Sequence, residues 1–120
     1  MMKFVLRPTL LSLALTIASH ACAEDWPMWR HDSGRTGATP ENLPAKLHLQ
    51  WTLRLPPLVP AYKDQRLQFD KGYEPIVSDR KLIIASPHSG SVTAHDAEKG
   101  TVLWRFQTEG PVRFAPAASG

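Results

Sequence analysis

The second half of the chain consists of short strand-like stretches separated by turn residues, and this pattern constrains the fold more than any other feature. The separating segments are a Ser-Asp-Arg run, a Pro-His-Ser-Gly run and a segment that ends at Gly100. Strands joined by such short loops must be antiparallel, because a parallel pair needs a crossover of about a dozen residues or more. We therefore expect antiparallel strands at Ile76–Val77, Lys81–Ser86, Ser91–His95 and Thr101–Thr108.

The segment Leu47–Leu55 alternates strictly between apolar and polar residues, which is the period-two pattern of a half-buried strand. Its predicted buried face consists of Leu47, Leu49, Trp51, Leu53 and Leu55. Pro56 and Pro57 end this predicted strand, because proline donates no hydrogen bond to a ladder. No stretch of helical period follows, and together these patterns predict an all-β fold.

The first 23 residues have the three parts of a secretory signal. Lys3 and Arg7 form a basic start, Thr9–Ala18 is almost entirely apolar, and Ala21–Ala23 fits the small-x-small cleavage rule. The apolar run is too short for a membrane span, which needs about 20 residues. We expect cleavage after Ala23 and export to an extracytoplasmic location, periplasmic or secreted, with no transmembrane span.

Cys22 suggests an alternative way of processing the N-terminus. Signals of bacterial lipoproteins end just before a cysteine that is then acylated, with Leu or a similar residue three positions before it and a small residue two before. Ser19 and His20 occupy those positions here, so lipoprotein anchoring at Cys22 is the weaker hypothesis. It predicts a mature chain that starts at Cys22 and partitions into detergent.

Removal of the signal changes the charge balance of the chain. The full sequence has 14 basic and 11 acidic residues, and two of the basic ones lie in the signal, so the formal charge falls from +3 to +1. That balance does not favour a nucleic-acid partner. The single cysteine also leaves with the signal, so the exported chain forms no internal disulfide.

Residues 24–46 have neither a helical nor a strand period and are rich in Pro, Gly, Arg and Trp. We predict an irregular N-terminal arm here. Trp26 and Trp29 carry large apolar surfaces, and we expect both to anchor the arm on a larger surface. Nucleic-acid binding by these tryptophans with Arg30 and Arg35 is the weaker interpretation, because acidic residues are interspersed among them.

Two internal repeats indicate a periodic fold. Glu74–Asp79 is echoed by Ala115–Gly120 at a spacing of 41 residues, within the range of about 40–45 residues typical of a four-stranded propeller blade. Leu49–Trp51 likewise resembles Val102–Trp104 at an offset of 53 residues. The longer offset is explained by the long loop that precedes Glu74.

One stretch carries a specific family resemblance. Residues 94–104, Ala-His-Asp-Ala-Glu-Lys-Gly-Thr-Val-Leu-Trp, resemble the tryptophan-docking motif of quinoprotein-type β-propellers, Ala-x-Asp-x-x-Thr-Gly-Lys-x-x-Trp. The matching positions are Ala94, Asp96, Gly100 and Trp104. Lys99 and Thr101 depart from the motif, which has Thr and Lys there. The segment from Asp25 to Gly37 resembles the start of secreted proteins with pyrroloquinoline-quinone-like (PQQ-like) repeats.

This resemblance implies an incomplete all-β propeller of antiparallel four-stranded blades over residues 47–120. That range would hold the last strand of one blade, a full blade at 74–108 and the start of the next. A propeller needs about 4–8 blades to close, and Gly120 falls inside a repeat, so we expect either a longer natural gene product or a truncated reading frame. The expected partners are the remaining blades or a protein that completes the sheet.

The motif residues have structural roles that follow from simple geometry. Asp96 can accept hydrogen bonds from the backbone amides of its own turn, and Gly100 can supply a positive φ for the return into the sheet. Trp104 then lies in the middle of a strand, where its apolar area can fill the space between adjacent sheets. In the family, the indole N–H of this tryptophan binds a neighbouring blade.

The sequence contains no pattern typical of a catalytic or metal-binding site. The histidines lack metal-ligand spacing, and we expect four solvated side chains after cleavage: His31, His48, His88 and His95. Ser89 and Ser91 lie outside any Gly-x-Ser-x-Gly elbow, and Gly34 and Gly37 form no phosphate loop. A charged loop is a better interpretation than a cation site for the carboxylates of Asp64, Asp70 and Glu74.

The resemblance implies two classes of function. Some family members are dehydrogenases that hold PQQ and Ca²⁺ at the propeller axis and oxidise alcohols or sugars. Others have lost the cofactor and serve as scaffolds in envelope assembly or as binding platforms. The adjacent cysteines that cover the quinone in the enzymes are absent from this sequence, which favours a non-catalytic scaffold with no cofactor in this part of the chain. PQQ and Ca²⁺ are expected only if the full-length protein is a dehydrogenase.

Overall fold

The computed structural model describes residues 24–68 and 72–119. The predicted signal, its cleavage site and Cys22 lie outside the described residues. Within them the chain is mostly β and irregular structure, with one four-stranded antiparallel sheet. The helical content of these described residues is a single 3₁₀ turn at Gln65–Leu67. No helix in the described part of the chain is long and apolar enough to cross a membrane.

The sheet is a simple meander in which each strand pairs with the next along the chain, in the order β1-β2-β3-β4. The four strands are β1 (Ile76–Ser78), β2 (Lys81–Ser86), β3 (Ser91–Asp96) and β4 (Val102–Gln107). All three pairings are antiparallel, which confirms the strands and the orientation expected from the turn residues. The sheet does not close on itself, so β1 and β4 are its edges.

The β1–β2 turn reverses the chain through two residues with positive φ, Asp79 (48°) and Arg80 (59°). Positive φ at both central positions is the hairpin turn whose twist matches that of the flanking strands, and Gly or Asn usually occupy it. Neither residue is a glycine here, so contacts from another part of the chain hold the turn in this conformation. The Asp25 carboxylate accepts from Asp79 N at 3.0 and 3.1 Å and from the Ser78 hydroxyl at 3.3 Å.

Strand register divides the side chains between two faces. Ala94 of β3 is opposite Ile83 of β2 and Trp104 of β4, and these residues define what we call the Trp104 face. Thr93 is opposite Ile84 and Arg105 on the other side of the sheet, which we call the covered face. The buried apolar side chains of the described part are few: Ile76, Ile84, Ala85 and Ala94.

The segment Leu47–Leu55 does not form the strand that its alternation predicts, and this expectation is wrong. It makes no ladder with the sheet, and Leu49 is 86% exposed. The alternation nevertheless persists from Trp51 onward, since Trp51, Leu53 and Leu55 are half-buried while the residues between them are exposed. The segment therefore lies along the covered face through its side chains and not through backbone pairing.

The N-terminal arm is irregular, as predicted, and docks on the free edge of β1. Trp26 and Val77 exchange two backbone hydrogen bonds of 2.8 and 2.9 Å. The Trp26 ring is half-buried and packs edge-on against His31 at 4.9 Å between ring centroids. Trp29 does not anchor the arm, contrary to expectation. Its ring is 44% exposed.

Candidate functional site

The turn between β3 and β4 is held together by one carboxylate. The side chain of Asp96 accepts hydrogen bonds from the backbone N–H groups of Glu98 and Lys99, both at 2.9 Å. Its own carbonyl oxygen accepts from Gly100 N at 2.8 Å, and Gly100 has φ +70°. These contacts confirm the two local predictions, that Asp96 caps its own turn and that Gly100 provides a positive φ.

These hydrogen bonds also change the acidity of Asp96. The backbone N–H of Lys99, more than any other contact, lowers the pKa of the Asp96 carboxyl below its ordinary value of 3.8, and the N–H of Glu98 acts in the same direction. A carboxyl group whose pKa is lower in the folded chain stabilises the fold above about pH 4, the ordinary range of an unfolded Asp. That contribution is lost as the pH falls through the lowered pKa.

A tryptophan from a distant part of the chain docks on this turn. The indole N–H of Trp51 donates to the carbonyl oxygen of Ala97 at 3.0 Å. The indole ring lies directly on Gly100, where an added Cβ would be 2.8 Å from Cε3 and 2.9 Å from Cδ2 of Trp51. A side chain at position 100 is therefore excluded by its φ and by the ring together.

Both halves of this contact carry a signal in the sequence, but no local signal joins them. Trp51 was predicted as a buried strand residue and Gly100 as a turn residue, 49 positions apart in the chain. The similarity of Leu49–Trp51 to Val102–Trp104 was the available signal. It aligns Trp51 with Trp104, the tryptophan for which a docking role was expected.

Trp104 itself has no such partner among the described residues. Its side chain is 43% exposed, although its cross-strand neighbour Ala94 is fully buried. Phe106, two residues further along the same strand, is 64% exposed. The expectation that Trp104 fills the space between adjacent sheets stays a prediction, because residues 24–68 and 72–119 form a single sheet, on which β4 presents an open aromatic surface.

A β-bulge interrupts the pairing of β4 beside this surface. Trp104 is opposite Ala94 and Val102 is opposite His95, so Leu103 is the extra residue on β4. Bulges bend and twist a strand and re-aim its side chains. The bulge places Val102 on the covered face and leaves Trp104 and Phe106 together on the other.

The four motif positions thus divide into two groups. Asp96 and Gly100 build the turn on which Trp51 docks, and Ala94 is fully buried. Trp104 is the outward-facing member. The site thus holds one tryptophan, Trp51, on its turn and presents another, Trp104, on the Trp104 face.

Two histidines depart from the expected solvated state, since the His31 side chain is only 15% exposed and His95 is buried more deeply. His95 is only 6% exposed and its Nδ1 lies 3.2 Å from the carbonyl oxygen of Gly100. Burial of His95 beneath the docked segment is the physical reason, since it shares the covered face with Thr93. No group of three His, Cys, Asp or Glu side chains in the described ranges could hold a metal ion.

Comparisons with family models, with curated proteins and with solved structures give no match for this chain. The geometry of the sheet and its docked tryptophan is therefore the basis for assigning a function. The resemblance of residues 94–104 to the tryptophan-docking motif supplies a hypothesis about the role of that geometry.

Proposed function

We propose that the chain belongs to an exported, non-catalytic scaffold of the PQQ-like propeller type, in which sheets stack face to face through docked tryptophans. The observation that carries this proposal is that the indole of Trp51 docks on the Ala97–Gly100 turn. Its counterpart Trp104 is open on the opposite face. Residues that bind a neighbouring sheet, and not residues that react, make up this site.

The docking is directional, which supports a repeated assembly. A tryptophan at the end of one unit contacts the turn of the following unit, so each unit offers a tryptophan on one side and a turn on the other. Contacts between two different surfaces of one repeating unit generate a ring when the rotation between units closes. A propeller is such a ring, built inside one polypeptide.

The path of the chain after β4 is a second support. Ala115 N donates to the Glu74 carboxylate at 3.2 Å, and these two residues are the corresponding positions of the 41-residue repeat. Ala118 N donates to Pro27 O at 2.8 Å, beside the bridge between Trp26 and Val77. The chain thus returns from the outer strand to the side of the first strand, as it would on entering a second blade.

A PQQ-dependent alcohol or sugar dehydrogenase is the second candidate, and it is supported by the family resemblance alone. The described residues supply no cluster of acidic ligands suited to Ca²⁺. We therefore assign no residue of this chain to PQQ or Ca²⁺ and derive no catalytic step. The enzyme hypothesis would place those groups in other blades.

Cysteine labelling tests the proposed stacking. The exported chain has no cysteine, because Cys22 lies in the predicted signal, so Phe106→Cys introduces a single thiol on the open surface. In the protein exported from its own gene in its host, a neighbouring sheet is expected to slow maleimide labelling at position 106 by at least about tenfold. Leu43→Cys in the arm, where Leu43 is 75% exposed, is the control.

Equal labelling rates at positions 43 and 106 would contradict the stacking proposal. The same preparation is then mixed with PQQ, Ca²⁺ and an electron-accepting dye. Dye reduction that depends on an alcohol or sugar would overturn the non-catalytic assignment in favour of the dehydrogenase.

A further inference from the structure

We propose that the covered face contains a binding site for a small organic carboxylate. A cavity of about 250 Å³ lies between the segment Leu53–Pro56 and strands β2, β3 and β4. Tyr73 closes one side, because its hydroxyl donates to Pro56 O at 3.1 Å and ties the segment down. The site is formed by this chain alone and does not depend on the proposed scaffold function.

Two arginines line the cavity, Arg54 and Arg105, and the charge that selects the ligand is that of Arg105, because it is bonded to a buried residue of the cavity wall. Its Nε donates to Thr93 Oγ1 at 3.1 Å, and no Asp or Glu in the described residues forms an ion pair with it. A guanidinium group has five N–H donors in a planar fork, so the terminal nitrogens keep their capacity for a ligand. Carboxylates match that fork with two parallel hydrogen bonds.

Polar side chains that are almost fully buried line the same cavity. Thr93 and His95 are each 6% exposed and Ser91 is 2% exposed. Buried polar groups are costly unless they are hydrogen-bonded. Because Thr93 Oγ1 accepts from Arg105, its hydroxyl proton remains available to a second acceptor, and a ligand oxygen beside Arg105 would serve as that acceptor.

Arg54, Ser86 and Ser89 are the other polar residues of the lining, and the rest of it is apolar and determines which ligand body fits. The apolar side chains that face the cavity are Leu53, Leu55, Ile84 and Val102. Ligand pockets typically combine an apolar lining with a few placed polar groups, and drug-sized ligands need about 300–1,000 Å³. A cavity of about 250 Å³ therefore suits a smaller ligand, a compact apolar body that carries one carboxylate.

Benzoate is the probe that tests this site, and benzamide is its uncharged control of the same shape. In ¹H–¹⁵N NMR titrations of the exported chain, we expect benzoate to shift the backbone amides of Thr93 and Arg105, and benzamide to leave them unchanged. Arg105→Gln is expected to weaken benzoate binding by about tenfold or more, because a hydrogen bond to a charged group is lost. Arg80→Gln, which removes the same charge from an exposed turn, is expected to bind as the unaltered chain does.

Thr93→Val keeps the shape of the buried side chain and gives an independent test if Arg105→Gln does not fold. It removes the hydroxyl donor and is expected to weaken benzoate binding by severalfold. Absence of benzoate shifts at Thr93 and Arg105 would overturn the proposal. Equal shifts with benzamide, or equal losses in Arg105→Gln and Arg80→Gln, would overturn it as well.

Discussion

Replacing Trp51 by alanine is expected to lower the free energy of unfolding by about 3 kcal/mol, at the low end of the range for large aromatic truncations. The indole of Trp51 covers Gly100 and donates to Ala97 O at 3.0 Å, and alanine removes both contacts. It also uncouples Leu53–Leu55 from the covered face. A loss of this size lowers the melting temperature by more than about 10 °C in a small domain, which thermal unfolding followed by circular dichroism would measure.

Two further variants separate the causes of this effect. Trp51→Phe keeps an aromatic ring on Gly100 but removes the N–H donor, and we expect it to cost about 1 kcal/mol. Trp29→Ala makes the same truncation at an exposed tryptophan, whose ring stacks with Arg30 and Arg35. We expect this control to cost less than about 1 kcal/mol. A Trp51→Ala variant that melts together with Trp29→Ala would show that the docked indole does not hold the fold.

Gly100→Ala is expected to have a comparable effect from the other side of the same contact. A non-glycine residue in the left-handed backbone conformation costs about 1–2 kcal/mol, and Gly100 has φ +70°. The added Cβ would also lie 2.8 Å from Trp51 Cε3, and overpacking of this kind costs a further 1–3 kcal/mol or so. Urea unfolding monitored by tryptophan fluorescence would measure the total.

Gly110→Ala is the matched control for this variant. Gly110 has no positive φ and no atom within 4 Å of an added Cβ, so the substitution is expected to be nearly neutral. In the Trp51→Ala background the steric part of the Gly100→Ala cost disappears, because the ring that the Cβ would meet is gone. Strictly additive effects of Trp51→Ala and Gly100→Ala would contradict direct packing between the two residues.

The strands of the sheet were predictable because their signals are local. Turn residues delimit β2, β3 and β4 in the sequence, and short loops require antiparallel pairing. The alternation of Leu47–Leu55 also predicts correctly, from Trp51 onward, which side chains turn inward. It failed as a strand prediction because a period of two shows which side chains turn inward and does not show whether a neighbouring backbone is available to pair.

The site was predictable only where it is local. Asp96 and Gly100 act on their own turn, and both roles follow from residue type and position. The contact between Trp51 and Ala97 joins positions 46 residues apart, and no local pattern reports such a pairing. The burial of His95 escaped prediction for the same reason, since it depends on a segment that arrives from elsewhere in the chain.

Hydrogen exchange at the tryptophan indole N–H groups tests most directly whether one tryptophan is docked while its counterpart is open. Four indole resonances are expected in the ¹H–¹⁵N spectrum, one for each tryptophan of the chain. We predict that the Trp51 indole is protected from exchange, because its N–H is bonded to Ala97 O. We predict that Trp104 exchanges as fast as Trp29 in the isolated exported chain. Exchange of Trp51 at the rate of Trp29, or protection of Trp104 equal to that of Trp51, would contradict the account.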